Sequence, residues 1–134
     1  VLDPHTHEIE WINAGHLPPL VVSPNGATRE LAITGPLLSA LGGSWTSART
    51  TISPDDIVVM WTDGITESRD AAGEELEVSG LTKIITGAQA NAQVEPVHLV
   101  RKVLAAGRAR AVNWGSDDRT LVIAAFDDAR RSDT

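Results

Sequence analysis

Two short runs of unbroken apolar residues constrain this chain more than any other feature: Ile57-Val58-Val59-Met60-Trp61 and Leu121-Val122-Ile123-Ala124-Ala125-Phe126. A strand with one wet face alternates apolar and polar residues. A run of five or six apolar residues instead reads as a strand buried on both faces. The two runs therefore predict two central strands of a sheet covered on each side. A carboxylate motif sits at the margin of each run, and the candidate chemistry lies there.

The residues before the first run read as antiparallel strands and turns. Glu8-Ile9-Glu10-Trp11-Ile12 alternates charged and apolar residues, the pattern of a half-buried strand. Asn13-Ala14-Gly15-His16 reads as a turn. Leu17 to Val22 predicts a second strand, with Pro18 and Pro19 favouring an edge position or the strand's first residues. Ser23-Pro24-Asn25-Gly26 is a hairpin turn signal, and Thr28 to Ile33 returns as a third strand. Thr34 to Ser47, rich in Gly and Ser, reads as a loop. Arg49 to Ile52 predicts a short strand before the Ser53-Pro54-Asp55-Asp56 turn.

Two amphipathic helices are predicted between the apolar runs. Leu81, Ile84, Ile85 and Ala88 follow helical spacing, and Val97, Val100, Val103, Leu104 and Gly107 give a second face. Pro96 suits a helix's first turn, and Gly107 or Gly115 a helix end. Hairpins, then helices, then a returning strand make an α+β pattern with helices against antiparallel sheets. The charged end of the chain, from Asp127 to Thr134, is expected to fray.

Composition removes several function classes. The formal net charge of −7 argues against a nucleic-acid or acidic-membrane partner. An acidic domain that handles phosphorylated substrates needs a local positive centre, and a bound divalent cation is one. With no Cys, thiolate nucleophiles, disulfides and Cys zinc sites are out. No apolar run is long enough to span a membrane, and no signal peptide is visible. A cytoplasmic location is the default expectation. The phosphate-cradling G-x-x-x-x-G-K-[ST] loop and the G-x-S-x-G nucleophile elbow are both absent. Trp11, Trp45, Trp61 and Trp114 are not interleaved with basic residues as a stacking platform for single strands requires. They read as core and loop anchors.

The first candidate motif is Thr62-Asp63-Gly64-Ile65-Thr66-Glu67. Asp63 directly follows a rigid buried strand, which suits a metal ligand that must be placed to a few tenths of an ångström. The plain alternative is that Asp63 caps a short helix starting near Ile65. The second is Gly115-Ser116-Asp117-Asp118-Arg119-Thr120, just ahead of the other run. Its plain alternative is a solvated turn in which Asp118 pairs with Arg119. If Asp63 and Asp117 flank neighbouring strands at one end, two hard oxygen ligands converge, and these suit Mg²⁺ or Mn²⁺ rather than zinc or copper. The third motif, Asn13-Ala14-Gly15-His16-Leu17-Pro18-Pro19, reads first as a tight connection in which Gly15 supplies a positive φ. A lone His16 makes a poor case for a ligand or an acid. His5 and His7 read as a surface strand end rather than a metal site.

In order and spacing these motifs resemble the metal-dependent protein phosphatase family (type 2C), in its bacterial stage II sporulation E-like branch. The resemblance runs from Val1-Leu2-Asp3-Pro4 through the Asn13–Pro19 motif, Gly35-Pro36-Leu37-Leu38, Ser53-Pro54-Asp55-Asp56 and Trp61–Glu67. It continues through Gly73-Glu74 to Ser116-Asp117-Asp118-Arg119-Thr120-Leu121. It covers roughly Val1 to Phe126. It implies part of a four-layer α-β-β-α sandwich of antiparallel sheets with outer helices, residues 1–127 being the C-terminal portion of one phosphatase domain and 128–134 a charged tail. It implies a two-metal Mn²⁺ or Mg²⁺ centre whose metal-activated water hydrolyses phosphoserine or phosphothreonine. By motif position Asp63 and Asp117 are its metal ligands, with Asp118 and Gly64 in support. The implied substrate is a phosphorylated regulator of the anti-anti-sigma type. The family's earlier segment, whose Asp-x-x-Gly-His-Gly-type motif supplies the aspartate bridging both metals, has no counterpart here. The competing expectation is accordingly a non-catalytic binding or regulatory module with the same fold.

Overall fold

The computed structural model describes residues 1–89 and 95–126. It is an α+β sandwich, as the pattern of elements predicts. The chain opens with β1 (Leu2–Asp3) and β2 (Glu8–Trp11), then β3 (Leu20–Val22), β4 (Thr28–Glu30), β5 (Ala48–Thr51) and β6 (Ile57–Trp61). Three helices follow, α1 (Asp63–Thr66), α2 (Glu77–Gln89) and α3 (Pro96–Arg110), and the chain returns as β7 (Leu121–Ala125). One sheet has the order β1-β2-β5 and the other β4-β3-β6-β7, and every pairing is antiparallel.

The layers follow from which side chains must be dry. Along β6, Ile57, Val59 and Trp61 face α2 and α3, where they join Leu81, Ile85, Leu99 and Val103 in the larger core. Val58 points the other way and meets Ile9, Val21, Leu31 and Ile52 between the two sheets. Each fully buried aliphatic side chain contributes about 1.5–3 kcal/mol. The described residues thus form three layers, sheet, sheet and helices, of the four expected. Between the sheets lies a groove of about 590 Å³, lined by Leu2, Ile9, Trp11, Leu31, Val58 and Met60 among others.

Several expectations needed correction. The second strand begins at Leu20, not Leu17. Pro18 and Pro19 have no N–H to give a ladder, although the Pro19 carbonyl accepts the Leu31 N–H at 2.8 Å. Nor is it an edge: β3 pairs with β4 on one side and β6 on the other. The third strand stops at Glu30, where Leu31 turns into the inter-sheet core. The Ser23–Gly26 turn forms as read, with Gly26 at φ +85° and its N–H donated to the Ser23 carbonyl.

The run at Leu121 is an edge strand among the described residues, not a central one. Its inter-sheet face is only partly covered, and Val122 is 43% exposed. In α3 the buried face is Leu99, Val103 and Gly107, while Val97 is half exposed. Gly107 does not end that helix, which runs on to Arg110. A Cβ there would lie 3.0 Å from the Trp114 ring, so the glycine is a packing notch. The expected fraying from Asp127 onward concerns residues outside those described.

Candidate metal-ligand site at the β6–β7 end

The antiparallel register sets Trp61 opposite Leu121. Asp63 lies two residues beyond one strand end and Asp117 four residues ahead of the other, so both loops leave the sheet at the same end. Thr62 fastens them together. Its N–H donates to the Thr120 carbonyl at 3.1 Å. Its hydroxyl accepts the Thr120 N–H at 2.9 Å and donates to the Asp118 carbonyl at 3.1 Å. Beside it, the backbone of Gly64 presses on the second loop. A Cβ at that position would fall 2.4 Å from the Asp118 carbonyl oxygen and 3.3 Å from Asp117 Cβ. No other residue type allows that approach without a backbone shift.

The plain alternatives fare differently. Thr62, not Asp63, holds the N-cap position of α1, and no side-chain cap bond forms there. Asp63 is the first helical residue and is exposed. Asp118 does not take Arg119 as its ion-pair partner. Arg119 donates instead to the main-chain carbonyls of Asp117 at 2.6 Å and Asn113 at 3.0 Å, and its guanidinium lies 4.7 Å over the Trp114 ring. One Asp117 oxygen accepts the Asp118 N–H at 2.7 Å. The carboxylates of Asp63, Asp117 and Asp118 all stand on exposed residues.

The donor chemistry fits a hard divalent cation, in part. Carboxylate oxygens on two loops locked together, with water completing the shell, are what Mg²⁺ and Mn²⁺ accept. Among the described residues, however, no three His, Asp or Glu side chains gather closely enough to cage a metal ion.

The other motifs resolve as structural. Asn13 is 5% exposed, and its side chain closes the turn, accepting the His16 N–H at 2.9 Å and donating to the His16 carbonyl at 3.0 Å. Gly15 has φ +93° and lies against Leu37. His16 is exposed and its Nδ1 lies 2.9 Å from the Leu17 carbonyl. His7 packs against Phe126 with ring centroids 4.8 Å apart, and the His5 N–H is donated to Asp3. The 34–47 loop is organised around Trp45, whose indole N–H is donated to the Pro36 carbonyl at 2.8 Å.

Sequence reasoning missed the frame that supports the two loops. Arg110, at the end of α3, donates to the Ser68 carbonyl at 3.2 Å and pairs with Asp70 at 3.1 Å, and it also reaches the carbonyls of Glu74 and Glu75. Asn113 accepts the Arg69 N–H at 2.8 Å, tying the segment after Asp63 to the segment before Asp117. No local signal marks these residues, because each bridges positions about 40 apart in the chain.

Comparison with known proteins agrees with this fold. The family model described as stage II sporulation protein E (SpoIIE) matches residues 1–127. Protein IcfG of Synechocystis sp. is 28% identical over 105 residues, which is 78% of this chain and 16% of IcfG. The SiaA-PP2C domain of Pseudomonas aeruginosa superposes with a TM-score of 0.71 at 16% identity, covering 94% of this chain and 49% of that one. The structure of the RsbU and RsbW domains of Rv1364c from Mycobacterium tuberculosis gives 0.68 at 24%, covering 91% and 34%. The phosphatase domain of SpoIIE from Bacillus subtilis, described as Mn presoaked, gives 0.54 at 13%, covering 96% and 55%. The chain thus spans about half of two phosphatase domains that share its fold, and about a sixth of IcfG. No described helix is long and apolar enough to cross a membrane.

Proposed function

We propose, on the premise that this chain belongs to the stage II sporulation protein E family, that residues 1–127 are the C-terminal portion of a metal-dependent protein serine/threonine phosphatase domain. One observation carries the reading. The Thr62 hydroxyl and the Gly64 backbone lock the Asp63 loop against the Asp117 loop. Asp63 and Asp117 would hold Mn²⁺ or Mg²⁺, with Asp118 beside them and Gly64 keeping the loops in contact. A bound divalent pair would supply hydroxide at neutral pH, by lowering the pKa of bound water, and positive charge for the phosphoryl oxygens.

The chain's own residues do the remaining work. Antiparallel pairing of β6 with β7 fixes where the two carboxylates emerge. Exposed carboxylates on an acidic chain repel a phosphoprotein until a cation neutralises them, so substrate binding and metal binding are coupled. The substrate proposed is a phosphorylated regulator of the anti-anti-sigma type, by analogy with the family.

Asp63→Asn and Asp117→Asn in the full-length protein are expected to lower Mn²⁺-dependent hydrolysis of a phosphoserine protein by at least about a hundred-fold, because the metal supplies several kcal/mol of transition-state stabilisation. Circular dichroism should stay unchanged. Full activity in both variants would end the assignment. A second reading, a non-catalytic phosphatase-like module, draws on the lack of a three-ligand cluster among the described residues. It predicts a wild-type protein that binds its regulator with no metal-dependent turnover.

A further inference from the structure

Among the described residues Arg119 forms no ion pair with Asp117 or Asp118, the two carboxylates beside it in the sequence. Arg119 could neutralise Asp117 or Asp118, and by doing so would compete with a metal ion. Its two terminal nitrogens instead donate to main-chain carbonyls, of Asp117 at 2.6 Å and of Asn113 at 3.0 Å, closing the loop that carries Asp117. The Ser116 hydroxyl and N–H donate to the same Asn113 carbonyl, at 2.8 and 3.0 Å. The guanidinium stacks 4.7 Å over Trp114, and that ring is seated in the notch at Gly107 of α3. Arg119 Nε is buried with no hydrogen-bond partner among the described residues, a cost that a merely decorative surface arginine would not carry.

We infer that Arg119 is a positioning residue for Asp117. Its planar fork, braced on the Trp114–Gly107 shelf, holds the Asp117 loop in the arrangement that receives a divalent cation while leaving the carboxylates uncompensated. The inference rests on the reading of Asp117 as a ligand. It makes a prediction of unusual sign. As a charge alone, Arg119 repels a nearby cation, so removing it would tighten metal binding. As a positioning residue, its removal loosens binding, as loss of groups that orient metal ligands does by about ten- to a hundred-fold. Lysine keeps the charge but cannot span two carbonyls with a rigid fork.

The test is Mn²⁺ titration of the full-length protein followed by electron paramagnetic resonance, for wild type, Arg119→Ala, Arg119→Lys and Asp117→Asn. Hydrogen exchange of the metal-free proteins over residues 113–118 is measured alongside. Expected are a dissociation constant raised about ten-fold or more in both Arg119 variants and faster exchange of the Ser116 and Asp118 amides. Unchanged or tighter Mn²⁺ binding in Arg119→Ala, or wild-type affinity in Arg119→Lys, overturns the inference even if melting temperature falls. If Asp117→Asn loses affinity and Arg119→Ala does not, only this inference fails. If Asp117→Asn binds Mn²⁺ as wild type does, the ligand assignment fails and takes the inference with it. Should Arg119→Ala not fold, Trp114→Leu removes the shelf and leaves the fork. Weaker Mn²⁺ binding is again the supporting result, and wild-type affinity the opposing one.

Discussion

On the helix side of the four-stranded sheet, Leu81 and Ile85 of α2 and Leu99 and Val103 of α3 close over Val22, Val59 and Trp61, and none of these seven exceeds 3% exposure. On the other side the three-stranded sheet covers Val21 and Val58 but leaves Met60 and Val122, cross-strand partners in β6 and β7, 39% and 43% exposed. The same strands therefore border a sealed core on one face and an open groove on the other. Local cohesion comes mainly from the helices, while the sheet-to-sheet contact is sparse. The difference teaches that an unbroken apolar run need not be dry on both faces along its whole length: Val58 is buried between the sheets, but Met60 and Val122 on the same face are not.

Matched truncations test that contrast directly. Leu81, fully buried on the helix side, and Leu31, 2% exposed beside the groove, lose the same atoms on changing to Ala. Leu81→Ala is expected to cost about 3–5 kcal/mol in urea unfolding, at the upper end of the range for such changes, because α2 and α3 cannot collapse into the void. Leu31→Ala should cost about 2–3 kcal/mol, since the space it leaves joins a solvent-lined groove. Equal values would break the comparison.

A smaller effect probes the seam where the sheet end meets the site. Gly64→Ala sets a methyl against the Asp118 carbonyl, a backbone atom that cannot swing away, and should cost about 1–3 kcal/mol. The change pushes the Asp117 loop outward, so Mn²⁺ affinity should fall with stability. A stable variant with intact affinity would mean that the loops are less tightly joined than the contact implies.

The smallest effect lies at the margin of the sparse sheet. Asp3 accepts the N–H groups of His5 and Thr6 in the β1–β2 turn, and these bonds hold its carboxyl below the usual range of about 3.9. A depressed folded-state value means that the contribution is present above the unfolded value and is lost as pH falls through the folded one. Because the group is exposed, the change should appear as local loosening of the His5 and Thr6 amides below about pH 4 rather than as global unfolding. Asp3→Asn should abolish that pH dependence. A titration of Asp3 at or above the ordinary value would contradict it.

Much of this fold is legible in the residues. The periodicity of α2, the Ser23–Gly26 turn and the run at β6 each state their structure locally. What failed depended on neighbours in space. The Leu121 run carries the composition of a central strand, yet among the described residues it lies at an edge, a position set by which other strands are present, and no local pattern encodes that. Gly107 looks like a helix terminator until Trp114 is seen resting on it. Val97 looks like a core residue until the helix phase is fixed by Leu99. The proposed ligand pair, Asp63 and Asp117, was named from two strand-end motifs, and the register of β6 with β7 brings both loops to one end of the sheet. The frame around it was not, because Thr62, Arg110, Asn113 and Arg119 act through main-chain carbonyls and amides that every residue type possesses.

The Thr62 hydroxyl has a consequence for how such a site can change over generations. Every other rung between β6 and β7 is made by the main chain and survives almost any substitution. This last rung is written in a side chain. A serine would retain it, and a valine of nearly the same shape would delete it while the strand pairing above stayed whole. A single codon at this position can therefore loosen or tighten the loop junction independently of the fold, which gives selection a fine adjustment at the point where the chemistry is proposed to occur.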